Sequence, residues 1–127
     1  MDANLMNGLM LAYIGDSVYE TYIRKMNIEK GITHVNDLHK ETIKYTCAEY
    51  QAKGIKYLIS NNLLAEDEVL IFKRGRNSNT NKTRKSLSIE DYNNATGFEA
   101  LIGYLYFKNM LIRAYEIIDI VVKNIEE

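Results

Sequence analysis

Proline and tryptophan are absent from this chain of 127 residues, and cysteine occurs once. Each absence excludes something. A chain without proline, rich in Leu, Ile, Lys, Glu, Asn and Tyr, suits helices joined by polar turns and not a β-sandwich punctuated by Gly and Pro. The lone Cys47 excludes an intrachain disulfide framework. With only His34 and His39 beside it, there is no CxxC or paired-histidine zinc signature. A reducing, cytoplasmic setting fits that usage. Long hydrophobic runs are missing too: the longest, Leu9 to Ile14, is far too short to span a bilayer, and Asp2 stands where a targeting segment would carry basic residues. The length supports one domain with a real core, so the expectation is a single all-α unit over residues 1–127.

Excess charge is also missing overall, with a formal net charge of -1, but its distribution is uneven. Between Lys73 and Lys85 there are six basic and no acidic side chains, namely Lys73, Arg74, Arg76, Lys82, Arg84 and Lys85. That leaves ten basic against seventeen acidic residues elsewhere, a balance of -7. From Lys73 to Ser86 no apolar residue occurs, so this stretch reads as one long loop. Long polar loops in compact domains are functional or disordered. A solvated excursion and a nucleic-acid contact both satisfy this composition.

What is present is helical periodicity. Leu9, Tyr13, Val18, Tyr22 and Met26 recur at helical spacing and predict the buried face of a first helix around Leu11 to Arg24. A connector with Gly31 follows, then a helix starting near Asn36 or Asp37, with Leu38, Tyr45, Ala48, Ala52, Ile55 and Ile59 on one stripe and Gly54 as a candidate break. His39 in its first turn lacks partners for catalysis or metal binding. Asn61 and Asn62 end that pattern. Glu66, Asp67 and Glu68 open another helix with acids where its dipole favours them, with Val69, Leu70 and Phe72 as the buried side and an end at Gly75. Ser88 and Asp91 resemble a capping box for a further helix, and Leu111 to Asn124 forms the last.

Two acids interrupt these apolar patterns. Asp16 lies mid-helix, where it cannot cap, and an acid there faces solvent, meets a basic side chain or binds a cation. Glu99 stands among Phe98, Leu101, Ile102 and Leu105, flanked by Gly97 and Gly103, so another helix or a ligand is expected to come close. Two facing carboxylates repel and raise one pKa unless a cation lies between them, and Mg²⁺ accepts one or two carboxylates with water and phosphate completing its shell. Glu20 is different. Four residues before Arg24, it reads as an ordinary i,i+4 ion pair.

The segments IGDSVYE at Ile14 to Glu20 and TGFEALIGYLY at Thr96 to Tyr106 resemble the two signature segments of the ribonuclease III catalytic domain. With RGRN at Arg74 to Asn77 and Leu38-His39, the pattern is most similar to the short, single-domain group called Mini-ribonuclease III. The resemblance implies an all-helical homodimer that cuts double-stranded RNA with Mg²⁺, one strand per subunit. It makes Asp16 and Glu99 the metal-binding catalytic acids. Larger family members carry two further acids, where this chain has Leu9 and Thr96. They also carry a separate double-stranded-RNA-binding domain, for which 127 residues leave no room. RNA affinity is then expected from Lys73, Arg74, Arg76, Lys82, Arg84 and Lys85, following phosphates across A-form grooves. The implied physiological substrate is the precursor of large-subunit ribosomal RNA, with a large-subunit ribosomal protein as a possible helper. The competing expectation keeps the fold without the chemistry, as a duplex-RNA-binding or ribosome-assembly module.

Overall fold

A computed structural model describes residues 2–79 and 88–126. These residues form a short 3₁₀ turn, Ala3–Leu5, and six helices: α1 Gly8–Glu29, α2 Val35–Thr46, α3 Ala48–Ser60, α4 Glu66–Arg76, α5 Ile89–Phe107 and α6 Leu111–Asn124. No strand occurs among them, as the composition predicts.

Helix α5 is the centre. From Asn94 to Leu105 every residue except Glu99 is buried, and α1, α3, α4 and α6 all pack on it. A helix apolar on nearly all sides has to lie inside the domain. Its start is the one predicted, with the Ser88 side chain accepting from the Asp91 amide at 3.0 Å. The core joins Phe98, Leu101, Ile102 and Leu105 to Leu11, Tyr19 and Ile23 of α1, Ile55 and Leu58 of α3, and Ile117, Ile118 and Val121 of α6. Tyr19 meets Phe98 edge to face, 5.4 Å between ring centres, and its hydroxyl donates to the Tyr45 carbonyl at 2.6 Å. No helix of the described residues is long and apolar enough to cross a membrane.

Several expectations are corrected. The buried face of α1 runs through Leu11, Gly15, Val18, Tyr19 and Ile23, while Leu9 and Tyr13 point outward, Tyr13 at 84% exposure. The long stripe from Leu38 to Ile59 breaks at Cys47 and not at Gly54. Cys47 is extended, yet its N–H still closes α2 on the Ile43 carbonyl, and its own carbonyl accepts the Gln51 amide in the first hydrogen bond of α3. Gly54 lies inside α3, and its missing side chain leaves room for Val121, which would stand 2.7 Å from a Cβ there. In α4 the buried residues are Glu68, Ile71, Phe72 and Gly75, and Leu70 is 60% exposed. That helix also continues to Arg76, so Lys73, Arg74 and Arg76 lie on its last turn and not in a loop.

Candidate active site

The site forms where α1 and α5 cross almost backbone to backbone. A Cβ on Gly15 would stand 1.7 Å from the Glu99 carbonyl oxygen, and one on Gly103 would stand 2.0 Å from the Leu11 carbonyl oxygen. Glycine at both positions lets the helices approach until their side chains begin beside one another. Gly97 performs the same service toward α4, since its Cβ would meet the Phe72 ring at 2.6 Å. The glycines flanking Glu99 thus admit two neighbouring helices.

This crossing sets Asp16 against Glu99. Asp16 is exposed and Glu99 half-buried, and the two carboxyl groups are within hydrogen-bonding reach of each other. Burial first, then the Asp16 charge and the hydrogen bond with Asp16, push the Glu99 pKa up to about 9. At neutral pH, with no cation bound, Glu99 therefore carries the proton that the two acids share. The influence opposing this is a hydrogen bond from Gln51 of α3, a residue the sequence reading did not single out. A polar side chain on an otherwise apolar stripe was the available signal.

The two positions where the resemblance places further acids are otherwise employed. Leu9 is 48% exposed on the outer face of α1. Thr96 is buried one turn before Glu99; its hydroxyl donates to the Tyr92 carbonyl at 3.1 Å and accepts from Asn79 at 2.8 Å. Asn79 also reaches Asn93 at 3.0 Å, fastening the chain after α4 to the first half of α5. Among the described residues, no group of three or more His, Cys, Asp or Glu comes together. Two carboxylates are what this site offers.

The remaining candidates separate. Lys73 is exposed. Arg74 turns inward, donating to the carbonyl of Asn4 at 3.2 Å and to that of Met6. Arg76 lies over the Phe72 ring, 5.5 Å from its centre. Lys82, Arg84 and Lys85 lie outside the described residues. Glu20 pairs with Arg24 at 2.8 Å on the surface, as expected.

The Ribonuclease III domain model matches residues 9–110, a span holding both acids and the whole crossing. The chain belongs to the ribonuclease III family. It is 47% identical to the Mini-ribonuclease 3 of Clostridium tetani, over 99% of this chain and 83% of that protein. It is 40% identical to the Mini-ribonuclease 3 of Streptococcus pneumoniae, over 99% and 98% of the two chains. A crystal structure of a protein from Fusobacterium nucleatum superposes with a TM-score of 0.84 at 34% identity, covering 96% of each chain. As a member of the ribonuclease III family, this chain is an endoribonuclease acting on double-stranded RNA.

Proposed function

We propose that this ribonuclease III chain cuts double-stranded RNA with Mg²⁺ held by Asp16 and Glu99, and that its physiological substrate is the precursor of large-subunit ribosomal RNA in the cytoplasm. The observation that carries the metal assignment is the crossing itself. It sets two carboxylates together, and no lysine or arginine is among the groups that shift Glu99. A dication removes the repulsion and replaces the shared proton. Two carboxylates, with open positions left for water and phosphate, suit Mg²⁺ better than the closed ligand sets of structural zinc or the larger oxygen shells of calcium. When bound, the ion supplies Lewis acidity toward water and the phosphate oxygens. Asp16, exposed at the rim, faces the incoming RNA, and half-buried Glu99 holds its position from below. The expected products carry 5′-phosphate and 3′-hydroxyl ends.

The homodimer belongs to the same reading, since two sites are needed to cut two strands. It is supported by apolar side chains left in water. Tyr13 and Ile112 are 84% and 85% exposed, and Tyr106 and Leu111 border a shallow groove with Ile14. In the dimer these residues would be covered. With residues 1–127 acting as one catalytic domain, Lys73, Arg76 and the more distal Lys82, Arg84 and Lys85 would supply phosphate contacts, while Arg74 would brace them. A large-subunit ribosomal protein already on the precursor could present its paired ends.

Labelled duplex RNA incubated with Mg²⁺, and then with EDTA, tests this proposal. Cutting is expected only with the metal, and it should be lost in Asp16→Asn and Glu99→Gln proteins that still fold and retain the duplex. Cutting at the wild-type rate by either variant would overturn the assignment. Sedimentation of the wild-type protein as a strict monomer would overturn the two-strand arrangement.

A further inference from the structure

A groove of about 370 Å³ runs between α3, α4 and the start of α5, lined by Lys56, Arg76, Glu90 and Asn94 beside the buried Ile55 and Phe72. None of these belongs to the crossing of Asp16 and Glu99. Asn94 is 7% exposed, and its carboxamide makes no hydrogen bond among the described residues. Buried polar side chains nearly always have a partner, so an amide without one on the wall of a groove calls for a ligand. Lys56 meets Glu90 at 3.4 Å, but both side chains are more than half exposed, and such ion pairs are weak. We propose that this groove binds the sugar-phosphate backbone of duplex RNA, with Lys56 and Arg76 flanking a phosphate and the Asn94 amide meeting a neighbouring backbone oxygen. The inference rests on the reading of Arg76 as a phosphate contact.

Arg76 makes the groove continuous with the basic last turn of α4, where Lys73 stands exposed one turn earlier. Lys53, exposed one turn before Lys56, carries the positive edge along α3. Two cations and a carboxamide supply donors for phosphate oxygens, and the carboxamide also accepts from a hydroxyl, which suits ribose. Glu90 is the acid on the rim. It holds Lys56 while the groove is empty, and a phosphate shared by Lys56 and Arg76 takes its place. Glu90 is then a competitor of the RNA, so its removal should strengthen binding. A groove kept only for packing would show no such effect.

Duplex RNA binding by the full-length protein in EDTA, at several salt concentrations and beside thermal unfolding, separates the two roles. Lys56→Ala should weaken binding and reduce its salt dependence by about one charge. Glu90→Gln should strengthen binding, and the gain should shrink when Lys56→Ala is combined with it. Asn94→Leu replaces an unpartnered amide by an apolar group of the same branching. It should melt no lower than wild type yet lose roughly tenfold in duplex affinity. A lower melting temperature with wild-type affinity would assign Asn94 to packing and overturn the proposal. If Asn94→Leu does not fold, the two surface variants decide, and unchanged affinity in both overturns it. Wild-type binding by Arg76→Ala would sink the Arg76 reading and this inference with it. Weakened binding by Arg76→Ala, but not by Lys56→Ala or Asn94→Leu, would sink the groove alone. Polyglutamate binding lost in Lys56→Ala at unchanged duplex affinity would assign the groove to an acidic protein and likewise overturn the proposal.

Discussion

The carbonyl oxygen of Glu99 occupies the space where any side chain on residue 15 would begin, 1.7 Å from an ideal Cβ. The obstacle is backbone, so it cannot rotate away. Gly15→Ala should therefore push α1 off α5 and separate Asp16 from Glu99. Overpacking of this kind costs about 1 to 3 kcal/mol or more. The expected outcome in urea is a lower midpoint, with metal-dependent cleavage falling further than the loss of folded protein accounts for. Activity per folded molecule equal to wild type would show that the crossing does not set the site.

The Glu99 proton gives the metal-free protein a pH signature. Its pKa is about 9 when folded, against an ordinary 4.5. Below 4.5 both states are protonated and the contribution is fully present. Between 4.5 and about 9 the unfolded chain releases a proton that the folded one keeps, so stability falls as pH rises through that window. Melting temperatures in EDTA should decline from pH 5 to pH 8, and Glu99→Gln should flatten the decline. On the proposed Mg²⁺ assignment the ion displaces this proton, so its affinity should rise with pH over the same range. A pH-independent Mg²⁺ affinity would contradict the shared proton.

Glu99 was legible because a charge among core residues is costly and therefore visible, whereas Asp16, read as interrupting an apolar pattern, lies exposed on α1. The glycines around Glu99 were legible as close approach, and Ser88 as a cap. The face of α1 was not. Bulky Leu9 and Tyr13 draw the count toward themselves, whereas the true face through Leu11, Val18, Tyr19 and Ile23 includes Gly15, a residue with no side chain to count. The break at Cys47 leaves no mark either, since neither Gly nor Pro produces it. Gln51 and Arg74 were hidden for a different reason. Their partners are backbone carbonyls or a residue distant in sequence, and only the folded packing brings those within reach.

Arg113 of α6 anchors the start of α4. It donates to both carboxylate oxygens of Glu68, at 2.9 and 2.8 Å, and to the Leu63 carbonyl at 2.9 Å. Glu68 is 3% exposed and also accepts the Ala65 amide at 2.8 Å. The Arg113 hydrogen bonds hold the Glu68 pKa below its ordinary value. Its stabilisation is present above pH 4.5 and lost as pH falls through the lowered pKa. Arg113→Met strands a buried carboxylate and should cost about 3 to 5 kcal/mol at neutral pH, whereas Glu68→Gln paired with it should recover part of that loss. Chemical denaturation of the two variants and the double variant measures this. Additive losses would mean that the pair is not coupled.

Lys73, Arg74 and Arg76 are neighbours in sequence but differ in what they are free to do. Arg74 spends its donors on the Asn4 and Met6 carbonyls, holding the 3₁₀ turn against the end of α4. Lys73 is exposed, and Arg76, stacked on Phe72, retains donors beyond its bond to the Asn77 side chain at 3.3 Å. Removing a phosphate contact lowers duplex affinity evenly across sequences and reduces the salt dependence of binding by about one charge. Lys73→Ala and Arg76→Ala should do this with a near-normal melting temperature. Arg74→Ala should instead lose about 1.5 to 3 kcal/mol of stability, the range for hydrogen bonds made by a charged group, and keep the wild-type salt slope. Binding isotherms in EDTA at several salt concentrations, read beside thermal unfolding, test the division. A reduced salt slope for Arg74→Ala at unchanged stability would place its guanidinium on the RNA and off the Asn4 and Met6 carbonyls.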